Sequence, residues 1–162
     1  MTAAFDQHSI QTSGATINVL AGGDGPPVLL LHGYPQTHLE WRNIAPQLAN
    51  EFTVVTPDLR GYGDSSKPES GVDHVNYSKR SMALDQVEVM AALGHDTFAV
   101  VGHDRGARVG HRLALDHPDR VTKLVLLDIC PTRDMHNSAN RAFATFYFHW
   151  FFLIQPAPLP ET

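Results

Sequence analysis

The chain has 162 residues, 43% apolar and 18% charged, with 12 Lys plus Arg against 17 Asp plus Glu for a net charge of −5. That is enough length and apolar content for one globular domain with a proper core, and the dispersed acidic residues give no footing for a nucleic-acid partner. The single cysteine, Cys130, excludes an internal disulfide and fits a reducing, cytoplasmic compartment.

The first fourteen residues lack the basic start and apolar centre of a secretory signal. Residues 5–10 and 15–20 read as two short strands around Thr12-Ser13-Gly14, a hairpin signal. Val28-Leu29-Leu30-Leu31 is a continuous apolar run, as expected for a strand buried on both faces, and it ends in His32-Gly33-Tyr34-Pro35. Leu39, Ile44 and Leu48 give helical spacing over 39–48. Residues 52–56 repeat the buried-strand pattern and enter a loop dense in turn residues, 57–66. Residues 77–93 read as a helix ended by Gly94. A strand over 97–101 leads to Gly102-His103-Asp104-Arg105-Gly106, and a helix over 107–115 follows, stopping before Pro118. Residues 121–127 are one more buried strand, ending at Asp128. Residues 135–154 read as one aromatic-rich helix, broken by the prolines of 155–160. The apolar run 142–154 is too short, and too interrupted by Tyr147, His149 and Trp150, to span a bilayer, so no membrane partner is expected.

Short buried strands alternating with helices predict an α/β fold with a doubly wound, mostly parallel sheet. In such sheets functional residues sit on loops at the carboxyl ends of the strands. Four ends carry polar or glycine-rich sequence: His32-Gly33, 58–66, the turn at Asp104, and Asp128. They are expected to converge in one cleft.

The Gly-x-Asp-x-Gly turn has the form of a nucleophile elbow with aspartate at its centre. The glycines relieve crowding where strand turns sharply into helix, and the helix N-terminus favours a carboxylate. Two readings stay open on the turn alone: Asp104 as nucleophile, or Asp104 as a plain helix cap. Arg105 and Arg108, three apart on the helix, either clamp an anionic ligand or pair with Asp104, Asp128 and Asp64. Asp128 is either a buried functional acid or a turn cap. Pro35 is either cis, in a tight turn, or a simple turn proline.

Taken in order, His32-Gly33-Tyr34-Pro35, Asp58-Leu59-Arg60-Gly61-Tyr62-Gly63-Asp64-Ser65 and Gly102-His103-Asp104-Arg105-Gly106 resemble the α/β-hydrolase fold in its branch with an aspartate nucleophile. His103 to Arg108, with the paired arginines, is similar to the elbow of haloacetate (fluoroacetate) dehalogenases. Phe148-His149-Trp150, followed by Pro156-Ala157-Pro158-Leu159-Pro160-Glu161, resembles the start of that family's helical cap. The resemblance implies an α/β-hydrolase core, incomplete, over 1–133 and the beginning of a cap over 134–162, so that the chain corresponds to the N-terminal half of a family member.

The resemblance further implies that Asp104 displaces halide from a 2-haloacetate and forms an ester, which water, activated by a base, hydrolyses to glycolate. It makes Arg105 and Arg108 the clamp for the substrate carboxylate, Tyr34 the oxyanion-hole residue, and Asp128 the acid partner of a catalytic histidine. His149 and Trp150 become halide ligands; each offers an N–H donor, and on a helix they point about 100° apart. Their bland reading is as core aromatics. No cofactor and no metal are implied, and no His-Glu-x-x-His spacing occurs. Arg60 to Ser65 are expected to support the cleft without direct chemistry. His8, His38, His74, His95, His111, His117 and His136 fall on loops or exposed helix positions, and His32 and His103 lie in tight motifs as structural residues. None is assigned as the base, so the 162 residues are expected to be inactive or limited to a single turnover. An epoxide hydrolase, or a non-catalytic binding module, is the alternative. The expected partner is a small halocarboxylic acid; family members are often dimeric through the cap, so a homodimer is the assembly suggested.

Overall fold

The computed structural model describes residues 4–156 and 158–161. The chain divides into two compact units, Met1–Ile129 and Cys130–Thr162.

The first unit holds a six-stranded mixed sheet in the order β1-β2-β4-β3-β5-β6. Its strands are β1 (Phe5–Gln11), β2 (Thr16–Gly22), β3 (Pro27–Leu31), β4 (Thr53–Pro57), β5 (Phe98–His103) and β6 (Val121–Leu127). The first two pair as the antiparallel hairpin that the Thr12-Ser13-Gly14 turn predicts, and β2 pairs antiparallel with β4. From β4 through β3 and β5 to β6 every pairing is parallel. Parallel neighbours need crossover connections. Helices α2 (Lys79–Ala92) and α3 (Asp104–Asp116) lie in the connections that lead into β5 and β6.

The apolar run of β3 serves two cores at once, because successive side chains alternate faces. Leu29 and Leu31 pack with Val100, Met90, Val109 and Leu113 beneath α2 and α3. Val28 and Leu30 pack with Trp41, Ala45 and Val54 on the other side. Complete burial of such a side chain stabilises by roughly 1.5–3 kcal/mol, so this strand anchors both layers.

Three expectations are corrected. Residues 39–48 do not form one helix: a 3₁₀ turn, His38–Trp41, is followed by a short helix, α1 (Ala45–Leu48). Pro46 explains the break, since its ring would collide with the carbonyl of Arg42 in a continuous helix. Residues 135–154 are three short helices, α4 (Thr132–Asn137), α5 (Arg141–Phe146) and α6 (Phe148–Leu153). Asn140 caps α5, its side chain accepting the Phe143 N–H at 3.0 Å, and caps of this kind start a new helix. Strand β6 is not buried on both faces: it is the outer strand of the described sheet, with Val125 and Leu127 exposed. Among the described residues no helix is long and apolar enough to cross a membrane.

Candidate active site

Sheet register builds the site. Leu31 of β3 lies opposite Gly102 of β5, and His103 lies opposite Leu127 of β6. The chain therefore leaves three neighbouring strands side by side, at His32, at Asp104 and at Asp128.

Asp104 opens α3 with φ 45°, a left-handed conformation that costs a non-glycine residue energy and collects at functional sites. The flanking glycines let the turn close. A Cβ on Gly102 would sit 2.6 Å from Ala107 Cα, and one on Gly106 would strike the Leu31 and His32 carbonyl oxygens. The backbone N–H of Tyr34 donates to Asp104 Oδ1 at 2.9 Å. The Tyr34–Pro35 peptide is cis, which decides between the two readings of Pro35.

Cations gather on the same side. The Arg105 guanidinium stands over the Tyr34 ring, 6.0 Å from its centroid, an arrangement that favours the cation. Arg108 lies three residues on, within a helical turn. Sequence reasoning missed Lys79, the first residue of α2. Burial first, then the charges of Arg105 and Arg108, lower its pKa to about 8, with Asp104 opposing. Tyr62, expected as part of the cleft's support, packs its ring edge-on against His32 at 5.1 Å and Tyr34 at 6.4 Å. Burial pushes that phenol up, Arg105 opposes, and Asp104 and Tyr34 add to the rise. Lys79 stands in no motif, and Tyr62 lies in the 58–65 motif, which was expected only to support the cleft.

A model of the alpha/beta hydrolase fold matches residues 26–161. The chain belongs to the α/β-hydrolase family. It is 55% identical to a fluoroacetate dehalogenase of Burkholderia sp. over 161 residues, which is 99% of this chain and 53% of that protein. It is 44% identical to a soluble epoxide hydrolase of Corynebacterium sp. over 131 residues, covering 81% of this chain and 44% of the relative. The crystal structure of a candidate α/β hydrolase from Nostoc sp. PCC 7120 superposes with a TM-score of 0.95 at 65% identity, covering 97% of this chain and 54% of that one. A candidate epoxide hydrolase of Pseudomonas aeruginosa gives 0.92 at 52% identity, covering 98% and 52%. The chain thus spans about half the length of the relatives it matches.

Asp128 departs from the sequence expectation. Because β6 is half-exposed, no burial argument applies: the Asp128 side chain is 90% exposed. Its carboxylate instead lies 3.9 Å from His103 Nε2, and its backbone also has positive φ, 55°. The geometry brings Asp104, Arg105, Tyr34 and Asp128 to one end of the sheet. His149 and Trp150 belong to the second unit. Trp150 is half-buried among Phe143, Tyr147 and His136, at ring distances of 6.0, 5.6 and 5.6 Å, while His149 is exposed beside Tyr147 and Phe148. Among the described residues no group of three or more His, Cys, Asp or Glu is arranged to hold a metal ion.

The loop after β4 is the scaffold beneath the site. Asp58, fully buried, accepts the His38 N–H at 2.7 Å, His38 Nδ1 at 2.8 Å, Asn18 Nδ2 at 2.9 Å and the Asp64 N–H at 3.0 Å. Burial alone would raise this carboxyl, but the donors outweigh it and hold it below its ordinary value. His38 is therefore a partner of a buried acid, not a surface loop histidine. Arg60 and Asp85 form a buried bidentate pair, each contact 2.6 Å, and Thr12 Oγ1 donates to the same carboxylate at 2.7 Å. His32 is fixed in one neutral tautomer: Nδ1–H donates to the Gly33 carbonyl at 2.8 Å, and Nε2 accepts the Leu59 N–H at 3.0 Å.

Proposed function

We propose that this chain carries the nucleophilic part of a hydrolytic dehalogenase acting on 2-haloacetates of the fluoroacetate type. The observation that carries the reading is the elbow itself. A carboxylate held at φ 45° receives the Tyr34 N–H at 2.9 Å and is followed at once by Arg105, then by Arg108. The 55% identity to a fluoroacetate dehalogenase supports it.

In this reading Arg105 and Arg108 hold the substrate carboxylate as paired guanidinium donors. That places the α-carbon beside Asp104. A carboxylate oxygen attacks in line, the C–O bond forms, and the carbon–halogen bond breaks with its electron pair leaving on the halide. Water then adds to the ester carbonyl carbon. The backbone N–H groups of Tyr34 and Arg105 receive the oxyanion, and collapse releases glycolate and restores the Asp104 carboxylate. Asp128 is the acid partner for the base that activates this water. None of the ten histidines in these 162 residues is assigned as that base, so the polypeptide tested alone is expected to stop at the ester. His149 and Trp150 enter the proposal only as the N–H donors for halide that the family resemblance implies. A cytoplasmic setting and a homodimer through the cap belong to the same proposal.

An epoxide hydrolase is the second reading, supported by the Corynebacterium relative. The arginine pair favours the first, because a neutral epoxide gives two guanidinium groups nothing to hold. The test is incubation of the chain with chloroacetate, fluoroacetate and, separately, styrene oxide. About one equivalent of halide per chain from the haloacetates supports the reading. A covalent styrene oxide adduct on Asp104, with no halide from the acids, overturns it.

A further inference from the structure

Glu40 has no part in the chemistry described above, yet it touches both segments that form the elbow contact. It sits in the 3₁₀ turn His38–Trp41, and its side chain is 17% exposed. Its two carboxylate oxygens go separate ways. Oε2 accepts the Gly33 N–H at 2.8 Å. Oε1 lies 2.8 Å from His103 Nδ1, which makes no hydrogen bond, so this second contact is electrostatic rather than a formed hydrogen bond.

Gly33 is bonded to Tyr34, and His103 is bonded to Asp104. One carboxylate thus joins, from behind, the two segments whose next residues meet at 2.9 Å. The fit is close: a Cβ on Gly33 would lie 2.9 Å from both Asp104 Cβ and His103 Nδ1. Glu40 is itself held on either side. His38 is tied to buried Asp58 through its backbone and its ring, and Trp41 is 4% exposed in the core.

We propose that Glu40 is a positioning residue for Asp104, setting the distance and angle between the nucleophile carboxylate and the Tyr34 N–H. This rests on the reading of Asp104 as nucleophile. The two ties differ in what they need. The Gly33 tie needs only an acceptor, whereas the His103 tie needs the negative charge. Gln at position 40 keeps the first and loses the second, and Ala loses both.

Glu40→Gln and Glu40→Ala are compared with wild type in two measurements. The first, amide hydrogen exchange, does not depend on chemistry. Glu40→Ala is expected to speed exchange at Gly33 and Tyr34 and leave Val100 unchanged, and Glu40→Gln is expected to keep Gly33 protected. The second is the rate of Asp104 modification by chloroacetate. The rate at saturation should fall about tenfold or more in Glu40→Ala and less in Glu40→Gln, with the half-saturating concentration unmoved, since displacement by a fraction of an ångström acts on the reacting geometry. Unchanged exchange at Gly33 and Tyr34, an unchanged saturating rate, or a shift in half-saturation alone overturns the proposal. Should Glu40→Ala fail to fold, Glu40→Gln decides by its rate. If wild type itself takes up no chloroacetate, the dehalogenase reading fails, and hydrogen exchange alone decides the role of Glu40.

Discussion

The Tyr34 N–H points at Asp104 Oδ1 across 2.9 Å, joining the ends of two parallel neighbours, β3 and β5. The contact depends on Gly33, where an added methyl would meet Asp104 and His103 at 2.9 Å. Gly33→Ala is therefore expected to push the Tyr34 loop away, costing about 1–3 kcal/mol of stability and slowing Asp104 modification by about 100-fold. Urea unfolding and single-turnover kinetics measure the two effects separately.

Arg105 and Arg108 are expected to act on substrate affinity. Removing a charged hydrogen bond costs roughly 1.5–3 kcal/mol, so Arg108→Ala should raise the half-saturating haloacetate concentration by about 10- to 100-fold. Arg105→Lys should lose nearly as much, because an ammonium lacks the planar fork and the stacking over Tyr34. The readout is half-saturation in stopped-flow halide release.

Lys79 gives the site a pH dependence in the alkaline range. Its folded pKa is lowered to about 8, so its charge is lost as pH rises through that value. Haloacetate should then bind several-fold more weakly at about pH 9 than at about pH 7, and Lys79→Met should flatten that profile. The stability effect has the opposite sign. Holding the buried ammonium charged is unfavourable below pH about 8 and less so as pH climbs toward the ordinary value of 10.5, so Lys79→Met stabilises most at neutral pH.

His32 sets the acid side. Burial lowers its pKa despite the raising effects of the Gly33 carbonyl, Asp58 and Glu40. The unfolded chain therefore takes up a proton near pH 6.5 that the folded chain resists. Urea midpoints should fall as pH drops below about 6.5, and His32→Gln should remove that first slope. Asp58, lowered below its ordinary 3.8, contributes stability above that value that is lost only at lower pH.

Much of this was legible in the chain because the central parallel strands are near-continuous apolar runs and because glycine spacing marks a turn that admits no side chain. Val28 to Leu31 and Gly102 to Gly106 are such cases. What escaped depends on partners distant in sequence. Nothing local says that Glu40 meets His103, that Lys79 faces two arginines, or that His38 serves Asp58. Helix ends escaped where one residue overrides an apolar period, as Pro46 and Asn140 do. The burial of β6 could not be read from its composition, since an apolar run on an outer strand looks like one in the middle.

The central claim is that Asp104 is the nucleophile, and intact-mass measurement after incubation with chloroacetate tests it most directly. The account predicts one added carboxymethyl group per chain, located on Asp104 by peptide mapping, and none in Asp104→Asn. An unmodified chain, or an adduct on any other residue, would contradict it.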